Sequence, residues 1–251
     1  MIVRLGALAA CLCVAATAQA RDYCPTRPSL GQSACVLDPG RVAIETALAD
    51  WEREDDSDTV LFGDSLLRIG VTDRAEVQLG WTPLGIARDR SDGSRTARTG
   101  DISIGGRINL HNPDGTGLSY GLQPALVVPV GRSPIGDRAW SLGVIAPVTY
   151  DLRDGLNLQF SPQLRWIAAV DGGARHLEPS AVLGIDVELT DSVETTAEVQ
   201  WLHDPGVDTA SAALSLAWKL DDDLFVDCGT VVGLNDATAP FRFYSGISRR
   251  F

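Results

Sequence analysis

One short motif in the sequence could carry hydrolytic chemistry. Residues 63–66 read Gly-Asp-Ser-Leu, the nucleophile block of a family of serine hydrolases. Such a serine needs a base, commonly the histidine of a later Asp-x-x-His. None of the three histidines, His111, His176 and His203, has an aspartate three residues earlier, and the tetrapeptide lies within an alternating strand pattern. The sequence therefore predicts that the protein is not an enzyme. A lipid hydrolase built on the β-barrel predicted below is the minor alternative.

Six carboxylates crowd one predicted loop and could bind a hard cation such as Ca²⁺. They are Asp50, Glu52, Glu54, Asp55, Asp56 and Asp58. The simpler alternative is a solvated acidic loop, and we favour it. No Cys/His group has zinc spacing, and residues 100–106 lack the spacing of a phosphate loop. The sequence thus predicts neither a metal site nor a cofactor.

The N-terminus has the pattern of a cleaved signal peptide over residues 1–20. A single positive charge precedes an apolar run from Leu5 to Ala18, and Ala18-Gln19-Ala20 is a small-x-small cleavage pattern. A lipoprotein alternative rests on Leu8 to Cys11, which resembles a lipobox. The run is too short to span a bilayer as a helix, so a membrane location requires a barrel.

Export places the remaining cysteines in an oxidising compartment. We predict that Cys24 and Cys35 form a disulfide within a periplasmic segment, residues 21–40, and that Cys228 packs as a small apolar residue. The formal charge of −12 argues against nucleic acid as a partner.

Apolar and polar residues alternate from Arg41 to the end of the chain, as they do in half-buried strands. The pattern predicts an all-β domain over residues 41–251, a transmembrane antiparallel β-barrel of about twelve strands. The strands are expected near 41–52, 58–71, 74–84, 99–110, 117–131, 138–152, 155–170, 175–189, 193–203, 208–219, 224–234 and 240–251. A soluble β-sandwich is the alternative, but strands this long exceed its ordinary strand length.

Tryptophan placement favours the barrel. If odd-numbered strands run outward, five tryptophans lie near the outer ends of their strands, as an interfacial girdle would require; they are Trp51, Trp81, Trp140, Trp166 and Trp201. The C-terminal Phe251 resembles the terminal phenylalanine that directs barrel assembly.

The polar face of the strands should line the lumen. Its charged candidates are Glu76, Asp101, Arg107, Arg165, Glu178, Asp186, Glu194, Glu198, Lys219 and Arg242. Acidic residues outnumber basic ones on this face, so the lumen is either a polar conduit with a mild preference for cationic or neutral solutes or a packed plug of ion pairs with no through-path.

Several segments together resemble a known family, the outer-membrane transporter-like proteins named for the meta-cleavage pathway of phenol degradation. They include residues 24–28 (Cys-Pro-Thr-Arg-Pro), 33–35 (Ser-Ala-Cys), 66–73 (Leu-Leu-Arg-Ile-Gly-Val-Thr-Asp) and 244–251 (Tyr-Ser-Gly-Ile-Ser-Arg-Arg-Phe). The resemblance implies an outer-membrane barrel with a transport role. It transfers no catalytic or binding residues, and phenol is a label rather than a substrate.

Taken together, these features predict an outer-membrane channel or transporter for small molecules, aromatic or apolar ones included. A non-conducting structural barrel remains the alternative. The expected partners are outer-membrane lipid, lipopolysaccharide, the barrel-assembly machinery and a small-molecule solute.

Overall fold

The computed structural model describes residues 21–137, 139–168 and 174–251, and the predicted signal peptide lies outside them. The described residues contain β1 (Val42–Arg53), β2 (Ser57–Phe62), β3 (Ser65–Thr72), β4 (Ala75–Trp81), β5 (Leu84–Asp89), β6 (Arg95–Arg98), β7 (Ile102–His111), β8 (Leu118–Val128), β9 (Ser141–Ile145), β10 (Val148–Arg153), β11 (Leu156–Ala168), β12 (Arg175–Thr190), β13 (Val193–Asp204), β14 (Val207–Asp221), β15 (Leu224–Gly233) and β16 (Phe241–Arg250). In this part of the chain, no helix is long and apolar enough to cross a membrane.

The strands form one closed antiparallel barrel. Each strand pairs with its neighbours in turn, and β16 pairs with β1 from Ala43↔Arg250 to Arg53↔Phe241, which closes the sheet. Four pairs of segments, β2 with β3, β4 with β5, β6 with β7 and β9 with β10, each act as one interrupted barrel strand. The barrel therefore has twelve strands, as the alternation predicts.

Proline and glycine mark some of these interruptions. Gly63 has φ of 68°, a left-handed conformation that favours glycine, and it breaks the strand between β2 and β3. Pro83 lies in the facing gap between β4 and β5, with its ring 3.0 Å from the position a Cβ of Gly63 would take. Both strands are interrupted at one level, so the sheet continues beyond it as a four-stranded extension of β1, β2, β5 and β6.

Part of this extension occupies residues 85–98, which the predicted strands near 74–84 and 99–110 leave as a connection. Most of that segment is a β-hairpin, β5 and β6, turning at residues 90–94. The alternation that marks a strand continues past residue 84, since Gly85 and Ala87 are buried while Leu84 and Arg88 are exposed. The connection between the strands predicted near 41–52 and 58–71 is three residues long, 54–56.

The barrel is polar inside and apolar outside. On β11, Leu158, Phe160 and Leu164 are 37–43% exposed, whereas Gln159 and Ser161 are 3% and 4% exposed. A β-sandwich would bury the first set and expose the second. The reversed pattern is that of a barrel in the outer membrane, with its apolar band facing lipid.

The two ends of the barrel differ. Four connections at one end are two-residue turns, at 73–74, 154–155, 191–192 and 222–223, and Phe251 also lies there. Longer connections, including 129–140 and 234–240, lie at the other end. Short turns mark the periplasmic side and longer loops the outer side.

Trp51, Trp140, Trp166 and Trp201 lie at or next to the outer ends of their strands, whereas Trp81 ends β4 below the extension, because the barrel strand continues through β5 to Asp89. Trp81, Trp140, Trp166 and Trp201 are each at least 40% exposed on the outside of the barrel. Trp51 is half-buried, with its ring centroid 5.7 Å from that of Phe241.

Candidate solute pathway inside the barrel

The segment that precedes β1 lies within the barrel, in the half nearer the periplasm. Its backbone contacts inward-facing side chains of β1, β3, β4, β7, β11, β13 and β16, so it fills lumen that the sequence prediction of a periplasmic segment left empty. Cys24 and Cys35 are joined by a disulfide. We refer to residues 24–35 as the Cys24–Cys35 loop.

Two arginines of the wall hold the base of this loop. Nη1 of Arg68 donates to the carbonyl oxygen of Cys24 across 2.8 Å, and Nη1 of Arg107 donates to the carbonyl oxygen of Cys35 across 2.9 Å. Both arginine side chains are fully buried. The two chain ends that the disulfide joins are therefore also tied to β3 and β7.

Carboxylates compensate these buried charges. Arg68 lies 2.8 Å from Glu45 and 2.9 Å from Glu76, and Arg107 lies 3.8 Å from Glu76. The same carboxylates accept backbone N–H groups of the segment: Thr26 donates to Glu45 and Leu37 donates to Glu76, each across 2.9 Å. Burying an unpaired charge is costly. The ion pairs within the wall and the N–H groups of the segment together satisfy these buried charges.

The tip of the loop reaches the opposite wall. The backbone N–H groups of Leu30 and Gly31 donate to the two carboxylate oxygens of Glu198, across 2.9 and 2.8 Å. Gln32 donates to Ser161 across 2.8 Å, and Leu30 also packs against the buried cluster of Ala213, Val231 and Tyr244. The loop thus crosses the lumen from β3 and β7 to β11 and β13.

Further contacts fix the first half of the segment. Arg27 forms an ion pair with Asp227 at 2.9 Å, and the Tyr244 hydroxyl donates to the carbonyl oxygen of Pro28 across 2.8 Å. Tyr23 packs edge-on against Phe225, and burial together with the nearby Glu45 carboxylate raises the pKa of its phenol. Its hydroxyl donates a hydrogen bond to Oε1 of Glu45 across 3.2 Å.

A cavity of about 640 Å³ separates this segment from the wall at the periplasmic end of β10–β14. Eight carboxylate residues and three basic residues line it; the acidic ones are Asp22, Asp114, Asp151, Asp154, Asp186, Glu188, Asp191 and Glu194. Among the described residues, Asp186, Glu188 and Glu194 have no ion-pair partner. The side-chain oxygens of Thr149 and Asn157, which also line this acidic cavity, are buried and lack hydrogen-bond partners there. The cavity therefore favours a hydrated cation or a neutral hydrogen-bonding solute.

The outer half of the lumen contains separate ion pairs. Arg165 pairs with Glu178, and Arg242 pairs with Asp50 at 2.5 Å. Residues 131–137 bend inward, because Asp101 accepts the backbone N–H groups of Gly131 and Asp137 and the Ile135 side chain packs against Gly85. Burial and the adjacent Asp101 raise the pKa of the Asp137 carboxyl.

The predicted lumen residues therefore fall into three groups. Glu76, Arg107 and Glu198 hold the N-terminal segment, and Asp186, Glu194 and Lys219 line the acidic cavity. The others, Asp101, Arg165, Glu178 and Arg242, lie in the outer half.

Arg68, Tyr244 and Glu45 were not among the lumen residues predicted from the sequence. The signal was present, since a charged residue inside the apolar run Leu66 to Gly70 must point inward if the run faces lipid.

The two motifs that could carry chemistry assemble no site in the described residues. The Ser65 hydroxyl bonds to the carbonyl oxygen of Gly63 across 2.7 Å, and His176 and His203 each pair with an aspartate, Asp204 and Asp208. Asp50 points into the lumen and Asp58 to the outside, so the acidic group is divided between two faces. No cluster of His, Cys, Asp and Glu in the described ranges could hold a metal ion.

Comparison with known proteins agrees with this architecture. A family model described as "Putative MetA-pathway of phenol degradation" matches residues 26–251. Among solved structures, an outer-membrane channel from Pseudomonas putida F1 is similar with a TM-score of 0.68 at 13% identity, covering 89% of this chain and 100% of that one. The KdgM porin in complex with disordered oligogalacturonate is similar with a TM-score of 0.56 at 10% identity, covering 83% and 99%. No curated protein matches the sequence.

Proposed function

This chain belongs to the MetA-pathway phenol-degradation family, and from that premise we propose that it is an outer-membrane channel for small molecules. The observation that carries the proposal is the Cys24–Cys35 loop, which crosses the lumen on hydrogen bonds above an acidic cavity. A loop held in this way can leave the wall without breaking a covalent bond. We propose that its movement connects the acidic cavity with the outer half of the lumen.

The tip of the loop is the part that moves. Its base is tied by a disulfide and two buried arginines, whereas the backbone N–H groups of its tip are held by Glu198, at Leu30 and Gly31, and by Ser161, at Gln32. Hydrogen bonds to a charged group contribute about 1.5–3 kcal/mol each. Release of the tip therefore costs a few kcal/mol, which makes the open state rare but accessible.

The lining of the acidic cavity supports a preference for cations and neutral solutes. Asp186, Glu188 and Glu194 project a negative field into a space walled by protein and lipid, where charge acts more strongly than in bulk water. The family's description links it to phenol degradation, so small aromatic compounds are the first solutes to test. Tyr23 and Phe225 supply an aromatic pair beside this space.

Solute flux into proteoliposomes tests the proposal. Refolded protein should admit small neutral and cationic solutes, phenol included, faster than protein-free liposomes do. The same preparation in a planar bilayer should show brief openings, because the loop leaves its site rarely. If solutes enter no faster than in protein-free liposomes and no opening occurs, the chain is a non-conducting structural barrel.

A further inference from the structure

Four charged side chains form one row across the extension of β1, β2, β5 and β6. Arg53 is directly opposite Asp58, Asp58 is opposite Arg88, and Arg88 is opposite Arg95. Directly opposed residues of neighbouring antiparallel strands share a face of the sheet. We call these four residues the basic row.

The basic row faces the outside of the barrel. Alternate residues of β5, Gly85 and Ala87, are buried on the inner face, and Ile135 of the inward-bent residues 131–137 packs against Gly85. The row of opposed residues two positions nearer the membrane centre is apolar. It consists of Trp51, Val60, Ile86 and Ala97. The basic row therefore begins where the lipid-facing apolar surface ends.

The row carries net positive charge on a chain whose formal charge is −12. Nε of Arg53 lies 3.6 Å from Asp58, whereas Arg88 and Arg95 are exposed and have no ion-pair partner in the described ranges. The carboxylates at 54–56 and Asp92 belong to connections beyond the row, farther from the bilayer, and Asp89 follows Arg88 on the opposite face of β5. Two guanidinium groups are thus available at headgroup level.

We propose that the basic row binds the phosphate groups of lipopolysaccharide in the outer leaflet. The row lies at the outer end of the barrel, where the neighbouring lipid carries phosphates on its sugar headgroup. A guanidinium group binds phosphate in a bidentate manner, and its attraction to phosphate is stronger at the edge of the low-dielectric bilayer than in bulk water. The apolar row below, from Trp51 to Ala97, contacts the acyl chains of the same lipid.

Lipid binding measured by native mass spectrometry tests this site. The full mature chain should retain lipopolysaccharide, and the Arg88→Gln plus Arg95→Gln variant should bind it at least about tenfold more weakly. Arg249→Gln is the matched control, because Arg249 is an exposed arginine at the periplasmic end of β16. This variant should bind as the unaltered chain does.

Lipids that differ in phosphate distinguish the proposed chemistry from nonspecific contact. The unaltered chain should bind dephosphorylated lipid A as weakly as the double variant binds native lipopolysaccharide, and this comparison needs no variant to fold. Equal binding of phosphorylated and dephosphorylated lipid, or full binding by the double variant, would overturn the site. Equal competition by phosphatidylglycerol would also overturn it, since any anionic lipid would then suffice.

Discussion

The backbone N–H of Gly31 donates to Oε1 of Glu198 across 2.8 Å, joining residues 167 positions apart in the chain. Glu198 also accepts the backbone N–H of Leu30. One carboxylate on β13 therefore binds the tip of a loop whose base is bound to β3 and β7. The smallest change that would free the loop is therefore at Glu198.

Glu198→Gln should increase the time the channel spends open. The amide keeps one acceptor oxygen and loses the charge, so one backbone N–H of the tip loses its partner. A loss of about 1.4 kcal/mol corresponds to an open population about tenfold higher. Single-channel recording measures it, with Glu188→Gln as control, because Glu188 lines the acidic cavity and has no hydrogen bond to the described residues 21–40. Equal open times in all three proteins would exclude Glu198 as the latch.

Removal of the disulfide should also loosen the loop. With both Cys24 and Cys35 replaced by Ser, only hydrogen bonds order the loop, and a cross-link over a loop of this length contributes about 3 kcal/mol in the chain-entropy model. We expect more frequent openings, and a reductant should reproduce them in the unaltered chain. Cys228→Ser is the control, since Cys228 is a free thiol. A reductant effect that persists in the double-serine variant would point to another cause.

The barrel could be predicted from the sequence, but the position of residues 21–40 inside it could not. Alternation of apolar and polar residues predicts strands because lipid and lumen impose opposite preferences on the two faces, as on β11. That argument cannot place residues 21–40, which have no alternation and are ordered by contacts with residues far along the chain, such as Leu30 with Glu198. The hairpin of β5 and β6 was missed because its many charges resemble those of a loop.

The lumen charges were predicted individually but not in their pairings. Glu76 and Glu178 are both acidic residues on the inward face of an alternating strand. Glu76 binds the N-terminal segment, whereas Glu178 pairs with Arg165 in the outer half. Which partner lies opposite depends on strand register, and register is set by bulges such as the one between Ala47 and Ala49.

The acidic cavity should make the channel modestly cation-selective. Neutralising two carboxylates that have no ion-pair partner in the described residues, through Asp186→Asn plus Glu194→Gln, should move the reversal potential under a salt gradient toward zero. Asp92→Asn is the control, because this exposed side chain lies in the outer turn of β5 and β6. An anion-selective channel, or one unchanged by the double substitution, would show that ions take another path.

The outer tryptophans should contact lipid at headgroup depth. Trp140, Trp166 and Trp201 are exposed on the apolar side of the barrel, where indole is stabilised at the interface. In reconstituted protein, lipids brominated near the headgroup should quench most tryptophan emission, and aqueous iodide should quench little. The opposite order of quenching would place these side chains in water.

The conductance of a chain that lacks the N-terminal segment tests most directly the proposal that this segment closes the solute pathway. Deletion of residues 22–38 removes the Cys24–Cys35 loop and keeps every barrel strand. If the refolded barrel retains heat-modifiable mobility, we expect it to conduct continuously, several-fold above the time-averaged conductance of the full chain. A folded deletion variant with the same low conductance would contradict the proposal that this segment closes the solute pathway.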